Sequence, residues 1–162
     1  MLLLQHILES DSNYFGGEFM ITSSDKELLQ ETYNNSKKGM DTLSILLNKV
    51  YDDDLNYEMN TQLQRYREFN SKVSDQLIES GVMLENKPLD RFKMWSSIQA
   101  STIFNTSTKH IANMVIRENS VGMTGVMSTL KESDNASNRC VELANEFLSF
   151  EEECIRKLKS YL

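Results

Sequence analysis

Apolar residues recur along most of this chain at the three- and four-residue spacing of amphipathic helices. The longest such pattern predicts one helix from about residue 88 to residue 120, with a possible kinked continuation to residue 131 past Gly122 and Gly125. Its apolar stripe contains Phe92, Ile103, Ser107, His110, Met114 and Val121, flanked by Ala100, Phe104 and Ile111. A histidine in the middle of a buried stripe needs a hydrogen-bonding partner, so we expect His110 to have one in the core.

Three further amphipathic helices are predicted from the same spacing. They cover residues 25–51, 54–80 and 134–161. The apolar stripe of the helix at 54–80 contains Leu55, Met59, Leu63, Tyr66, Val73 and Leu77. The inward face of the helix at 134–161 contains Cys140, Leu143, Ala144, Phe147, Glu151, Cys154, Ile155, Leu158 and Tyr161. The first begins at a capping box, in which Ser24 and Glu27 would each bond a backbone N–H group of the other. Ser36 and Gly39 are small residues on its inner face, so we expect a neighbouring helix to approach closely there.

Four long helices joined by short turns predict an all-α fold, an antiparallel up-down four-helix bundle over residues 21–162. Residues 1–20 precede it as an N-terminal arm, flexible or packed on a partner, in which Gly16 and Gly17 interrupt regular structure. About eight residues join the second and third predicted helices and reach at most roughly 28 Å. A 28-residue helix is roughly 42 Å long, so the sequence predicts no crossover along the bundle.

Composition and charge narrow the classes of partner. The net charge of −7 disfavours a nucleic-acid partner, because phosphate binding needs a basic face. No apolar run of about 18 residues predicts a membrane span. Cys140 and Cys154 fall on one predicted helix roughly 21 Å apart, too far for a disulfide. We therefore expect buried free thiols and a reducing, cytoplasmic compartment.

Two polar residues on the predicted apolar faces are candidates for chemistry. Folding the third and fourth helices about a turn near residues 130–133 brings His110 level with Glu151, and Glu58 falls in the same layer. One interpretation is a structural His110–Glu151 pair that fixes helix register. The other is a mononuclear site in which His110, Glu151 and Glu58 hold a divalent metal ion (iron, zinc or manganese) or a small ligand. The structural pair is preferred, since buried polar pairs can specify helix register. A di-iron centre is disfavoured, because the Glu-x-x-His motif of di-iron bundles is missing.

Several short stretches carry a resemblance to a known group of proteins. They are Thr106-Ser107-Thr108-Lys109-His110-Ile111-Ala112-Asn113-Met114, then Gly122, Phe150-Glu151-Glu152 and Lys157-Leu158. On these residues the chain from about residue 25 onward resembles an uncharacterised bacterial family of ferritin-like bundle proteins. The resemblance implies a helical bundle, often oligomeric, and it assigns no activity. The wider ferritin-like group implies iron or oxygen chemistry, but this chain lacks the ligand pattern that would carry it over.

The sequence therefore predicts a non-enzymatic cytoplasmic bundle that acts by self-association, as a dimer, or through a protein partner. No nucleophile with an adjacent general base can be located. The alternative is a bundle that binds a metal ion or small ligand in its core. An apolar patch on a second helix face would favour the first prediction, whereas convergence of the three candidate ligands would favour the second.

Overall fold

The computed structural model describes residues 21–85 and 87–162, and within these ranges it contains five α-helices and no β-strand. The helices are α1 (Ser23–Leu46), α2 (Asp53–Glu79), α3 (Pro88–Thr102), α4 (Thr108–Glu132) and α5 (Asn138–Leu158). Short 3-10 turns follow α1 at Leu47–Lys49 and α5 at Lys159–Tyr161. The predicted N-terminal arm, residues 1–20, lies outside the described residues. None of the described helices combines the length and apolar content needed to cross a bilayer.

Helix α1 is antiparallel to both α2 and α4. The contacting pairs are Ser36 with Asn70 and Gly39 with Tyr66 on α2, and Glu31 with Gly125, Asn35 with Gly122 and Lys38 with Glu118 on α4. Residue numbers rise along α1 and fall along each partner, which gives the direction of both pairs. The close approach predicted at Ser36 and Gly39 is confirmed, since the Asn70 amide donates to the Ser36 hydroxyl at 2.8 Å.

Helix α5 is antiparallel to α2, because Glu58 pairs with Lys157 at 3.8 Å and Arg65 pairs with Glu153 at 2.8 Å. It also packs against α4, which it follows after a five-residue connection. Helices α2 and α4 consequently run in the same direction, and the chain must return along the bundle between them. The architecture is the predicted all-helical one with antiparallel neighbours, but the chain order is up, down, down, up.

The returning segment contains α3, which runs beside α1. The Thr42 hydroxyl donates to the Met94 sulfur at 3.4 Å, and Lys49 donates to the Gln99 side chain at 2.8 Å. Residue numbers rise together along α3 and along α1 with its 3-10 turn, so α3 runs in the return direction. Its fifteen residues are roughly 22 Å long, and the residues between α2 and α3 and between α3 and α4 supply the rest of the crossover. The prediction of no crossover was wrong, because it counted residues 88–102 as the first half of the third bundle helix, whereas they belong to the connection between α2 and α4.

The single helix predicted for residues 88–120 is in fact two helices with a break between Thr102 and Thr108. In the break, oxygen atoms of small polar side chains accept hydrogen bonds from backbone N–H groups, which in a continuous helix would donate to backbone carbonyls. The Asn105 side chain accepts from the Ser107 N–H at 3.0 Å, and the Ser107 hydroxyl caps α4 by accepting from the His110 N–H at 3.3 Å. These bonds end one helix and begin the next.

The break resets the helical phase, so the stripe predicted from Phe92 to Val121 is not the buried face. Phe92, Ile103 and Val121 are 62%, 70% and 60% exposed. The residues that α4 buries are Ile111, Ala112, Val115, Asn119, Gly122 and Val126. His110 and Met114 lie at the edge of this face, partly exposed.

Where no break intervenes, the predicted faces are observed. Helix α2 buries the whole predicted stripe, Leu55, Met59, Leu63, Tyr66, Val73 and Leu77. Helix α5 buries Cys140, Leu143, Ala144, Phe147, Glu151, Cys154 and Leu158, whereas Ile155 and Tyr161, also predicted to face inward, are partly exposed. Both cysteines are free and buried, as predicted.

The N-terminal cap of α1 lies two residues before the predicted one. The Thr22 hydroxyl accepts from the Asp25 N–H at 3.0 Å, and the Asp25 carboxylate accepts from the Thr22 N–H at 3.1 Å. Asp25 also accepts from the Ser137 N–H at 2.6 Å. Burial opposes its ionisation, but these N–H donors outweigh burial and lower the pKa of Asp25. The cap therefore ties the start of α1 to the start of α5.

Candidate functional site

The structure does not bring the three predicted ligands, His110, Glu151 and Glu58, together. His110 lies in the first turn of α4, where its Nε2 atom is 3.0 Å from the Ser101 carbonyl oxygen at the end of α3. Glu58 lies on α2 and accepts from the Gln62 amide at 2.9 Å. Glu151 is buried on α5, as predicted, but its partner is neither of the other two.

The separation of His110 from Glu151 follows from the contacts between helices. The partner of Glu151 is Tyr66, which lies over Gly39, and the neighbouring Lys38 reaches Glu118 on α4. Glu118 is eight residues from His110, roughly 12 Å along the helix.

The predicted register failed because α5 begins at Asn138 rather than near residue 134. The later start moves the position opposite His110 towards the end of α5. In residues 21–85 and 87–162, no three histidine, cysteine, aspartate or glutamate side chains lie close enough to hold a metal ion.

A buried Tyr66–Glu151 pair occupies the middle of the bundle. The Tyr66 hydroxyl donates to Glu151 Oε1 at 2.6 Å, and the two residues are 0% and 2% exposed. The Phe150 ring packs edge-on against Tyr66 with centroids 4.7 Å apart. Burial raises the pKa of Glu151 to about 8, although the hydrogen bond from Tyr66 opposes the rise. Glu151 is therefore largely protonated at neutral pH.

The groups around this pair are also held in their neutral forms. Burial, followed by the proximity of Glu151, raises the pKa of Tyr66 well above its ordinary value. The same two causes raise the pKa of the Cys154 thiol. A protonated thiol is a poor nucleophile and a poor metal ligand. The geometry and protonation of this cluster are those of a structural polar layer.

The sequence indicated that Tyr66 takes part in a polar contact, although Tyr66 was assigned to the apolar stripe of its helix. Polar side chains recur every four residues along α2, at Glu58, Gln62, Tyr66 and Asn70. A buried tyrosine hydroxyl needs a partner, and the only strongly polar residue central to the α5 face is Glu151. Asn119 of α4, which is buried with no partner for its Nδ2 atom in the described residues, gave no comparable signal.

Helix α3 is apolar on two sides. Ile98 and Thr102 are buried on the side that faces α1. Other large apolar side chains, three on α3 and two in the break directly after it, are 47% to 96% exposed. We call them the α3 outer face: Leu89, Phe92, Trp95, Ile103 and Phe104. The Phe92 and Trp95 rings stack with centroids 6.1 Å apart, which makes part of this face a continuous aromatic surface.

Comparisons with known proteins identify the fold. No protein-family model matches the chain, and a comparison with curated proteins gives no match. Among solved structures, the chain is similar to a dodecameric thioferritin, the bacterioferritin-related protein from Bacteroides fragilis. The TM-score is 0.70, with 13% identity over 88% of this chain and 86% of that one. It is also similar to a DUF305 fragment from Deinococcus radiodurans, with a TM-score of 0.66 and 12% identity over 86% of this chain and 95% of that one. The chain therefore has the ferritin-like, all-helical fold that its sequence predicted.

Proposed function

We propose that this protein acts by self-association, as a dimer formed through the α3 outer face. One observation carries the proposal, the concentration of exposed apolar side chains on α3. Of the twelve large hydrophobic residues exposed in the described ranges, five lie within the sixteen residues from Leu89 to Phe104. Exposed apolar residues are normal when scattered singly, whereas a contiguous patch marks an interaction surface.

The size and composition of the face fit a second copy of this chain. Five side chains of these types at these exposures present roughly 600 Å², against about 800 Å² that each partner buries in a typical stable interface. Phenylalanine and tryptophan are enriched at the centres of such interfaces. When a helix packs on its own copy about a two-fold axis, both subunits use the same surface, so the assembly ends at a dimer. The fold supports assembly as well, since the similar protein from Bacteroides fragilis is described as dodecameric.

Replacing Phe92 and Phe104 by serine together is expected to weaken the dimer by about a hundredfold or more, because buried aromatic anchors dominate interface energies. Sedimentation velocity over a range of concentrations measures the change in mass. Trp95 is the one tryptophan of the chain and lies on the same face, so its fluorescence emission should shift to the blue as the wild-type protein dimerises. The doubly substituted protein should keep red-shifted emission at all concentrations.

A matched control removes apolar surface elsewhere. Tyr57→Ser with Val121→Ser replaces two exposed residues, 75% and 60% accessible, on α2 and α4, and it should dimerise as the wild type does. A wild-type protein that stays monomeric at every concentration would overturn the proposal, as would a dimer that survives the Phe92 and Phe104 substitutions. Blue-shifted Trp95 emission from a monomer would mean that the face is covered from within its own chain, which also contradicts it.

A further inference from the structure

A long cleft separates α3, and the chain that leads into it, from α4. Its volume is about 1130 Å³, and its α1 side is lined from Lys26 to Thr42. The two residues are sixteen positions apart, which corresponds to roughly 24 Å of helix. The cleft is a consequence of the crossover, because α3 and the first half of α4 both pack on α1 and leave a trough between them.

The charge of this cleft is opposite to that of the whole protein. Seven lysine and arginine side chains line it, against four carboxylates, which gives the lining a net charge of +3. The complete chain has a net charge of −7. A cationic cleft with low-dielectric walls concentrates anions, even on an acidic protein.

Ion pairs within the cleft account for four of the seven cations. The pairs are Lys37 with Asp41 at 3.1 Å, Arg91 with Asp41 at 3.8 Å, Lys38 with Glu118 at 2.8 Å and Lys87 with Glu85 at 3.5 Å. Lys26, Lys93 and Arg117 have no carboxylate within 4 Å in the described part of the chain. They belong to α1, α3 and α4 respectively, so each of the three helices that line the cleft supplies one uncompensated positive charge.

Apolar side chains lie between these charges. Val82, Met94, Ile98 and Met114 line the cleft and are partly or wholly buried. Methionine side chains adapt their shape to the apolar part of a ligand. Binding sites for small molecules typically combine such apolar walls with a few placed polar groups.

We propose that this cleft binds an elongated organic anion, a molecule with a phosphate or carboxylate head and an apolar body. Arg117 suits the head group, because a guanidinium can donate two parallel hydrogen bonds to a phosphate or carboxylate. Lys26 and Lys93 add positive charge, and the apolar body lies along the methionines. The proposal is independent of the dimer, since no residue of the α3 outer face lines the cleft.

Isothermal titration calorimetry with decyl phosphate and decanoate, each below its aggregation concentration, tests the proposal. At least one of these probes should bind at one molecule per chain. Inorganic phosphate carries the charge without the apolar chain, and decyl maltoside carries the apolar chain without the charge. Each should bind at least about tenfold more weakly than the better of the two amphiphilic anions. Binding of neither amphiphile, or equal binding of decyl maltoside, would overturn the proposal.

Substitutions then locate the site. Lys93→Gln with Arg117→Gln should weaken binding of the amphiphile about tenfold or more. Lys109→Gln with Lys131→Gln removes the same charge from exposed positions of α4 outside the cleft and should leave the affinity nearly unchanged. Equal losses in the two variants would show non-specific attraction. Loss of binding in Phe92→Ser with Phe104→Ser would place the probe on the α3 outer face. Either result would refute the proposed site, provided that far-UV circular dichroism shows folded protein.

Discussion

Replacing Glu151 by glutamine is expected to raise the free energy of unfolding by about 4 kcal/mol at pH 8 and to change it little at pH 5. Burial raises the pKa of Glu151 from its ordinary value of 4.5 to about 8 in the folded protein. Between these two values the folded state holds a proton that the unfolded state has released. The contribution of Glu151 to stability is therefore greatest below pH 4.5 and falls by about 1.4 kcal/mol per pH unit up to pH 8. Glutamine keeps the shape and the acceptor for Tyr66, and it does not titrate.

Urea unfolding of both proteins, followed by far-UV circular dichroism from pH 5 to pH 8, measures this difference. A fall of this size is a large part of the total stability of a typical domain, so the midpoint of the wild-type protein should move strongly with pH. Glu142→Gln changes an exposed residue of the same helix and should reproduce the wild-type curve. If the Glu151→Gln protein shows the same fall as the wild type, the fall arises from other groups.

The faces of α2 and α5 were predictable because nothing interrupts their helical phase. From Leu55 to Leu77 every member of the predicted stripe is buried, since the 3.6-residue period is a property of the helix itself. The burial of Glu151 followed in the same way from its central position on the predicted stripe, between Phe147 and Ile155. Local periodicity was sufficient for these assignments.

The break between α3 and α4 was harder to predict, because the run Asn105-Thr106-Ser107-Thr108 is compatible with two structures. A run of small polar side chains suits the solvated face of a continuous helix, and it also suits a cap that begins a new one. In the structure the second alternative is the one that forms, with Ser107 as the cap of α4. Once the break is missed, the phase is wrong for every later position, and His110 is assigned to the core instead of the edge.

The partner of Glu151 was hidden for a related reason. Which side chains face each other across a bundle depends on where each helix begins along the bundle axis. An error of a few residues in the position of one turn shifts the facing residue by about one helical turn. The starting residue of α5 therefore decided whether His110 lay level with Glu151. The close approach at Gly39 was visible in the sequence, but the tyrosine that uses it was grouped with the apolar stripe.

Replacing Gly39 by alanine is expected to destabilise the protein by about 3 kcal/mol, although alanine is the better helix former by about 1 kcal/mol. An added Cβ atom would lie 2.5 Å from Cε1 and 2.6 Å from Cζ of Tyr66. The ring cannot move aside easily, since it is fully buried and packs against Phe150. Overpacking of a core costs about 1–3 kcal/mol, and loss of the hydrogen bond to Glu151 leaves a buried carboxyl without a partner at a similar cost.

A second helical glycine provides the control for this prediction. At Gly125 an added Cβ atom would also lie 2.5 Å from its nearest neighbour, but that neighbour is Oε1 of Glu31, the tip of a flexible, half-buried side chain. The tip can move, so Gly125→Ala should stay within about 1 kcal/mol of the wild type. In the Gly39→Ala protein, the further change Tyr66→Leu should cost less than it does in the wild type, because the ring that clashes is already displaced. Equal urea midpoints for the two alanine variants, or additive costs in the double variant, would mean that the Tyr66 ring does not occupy the space over Gly39.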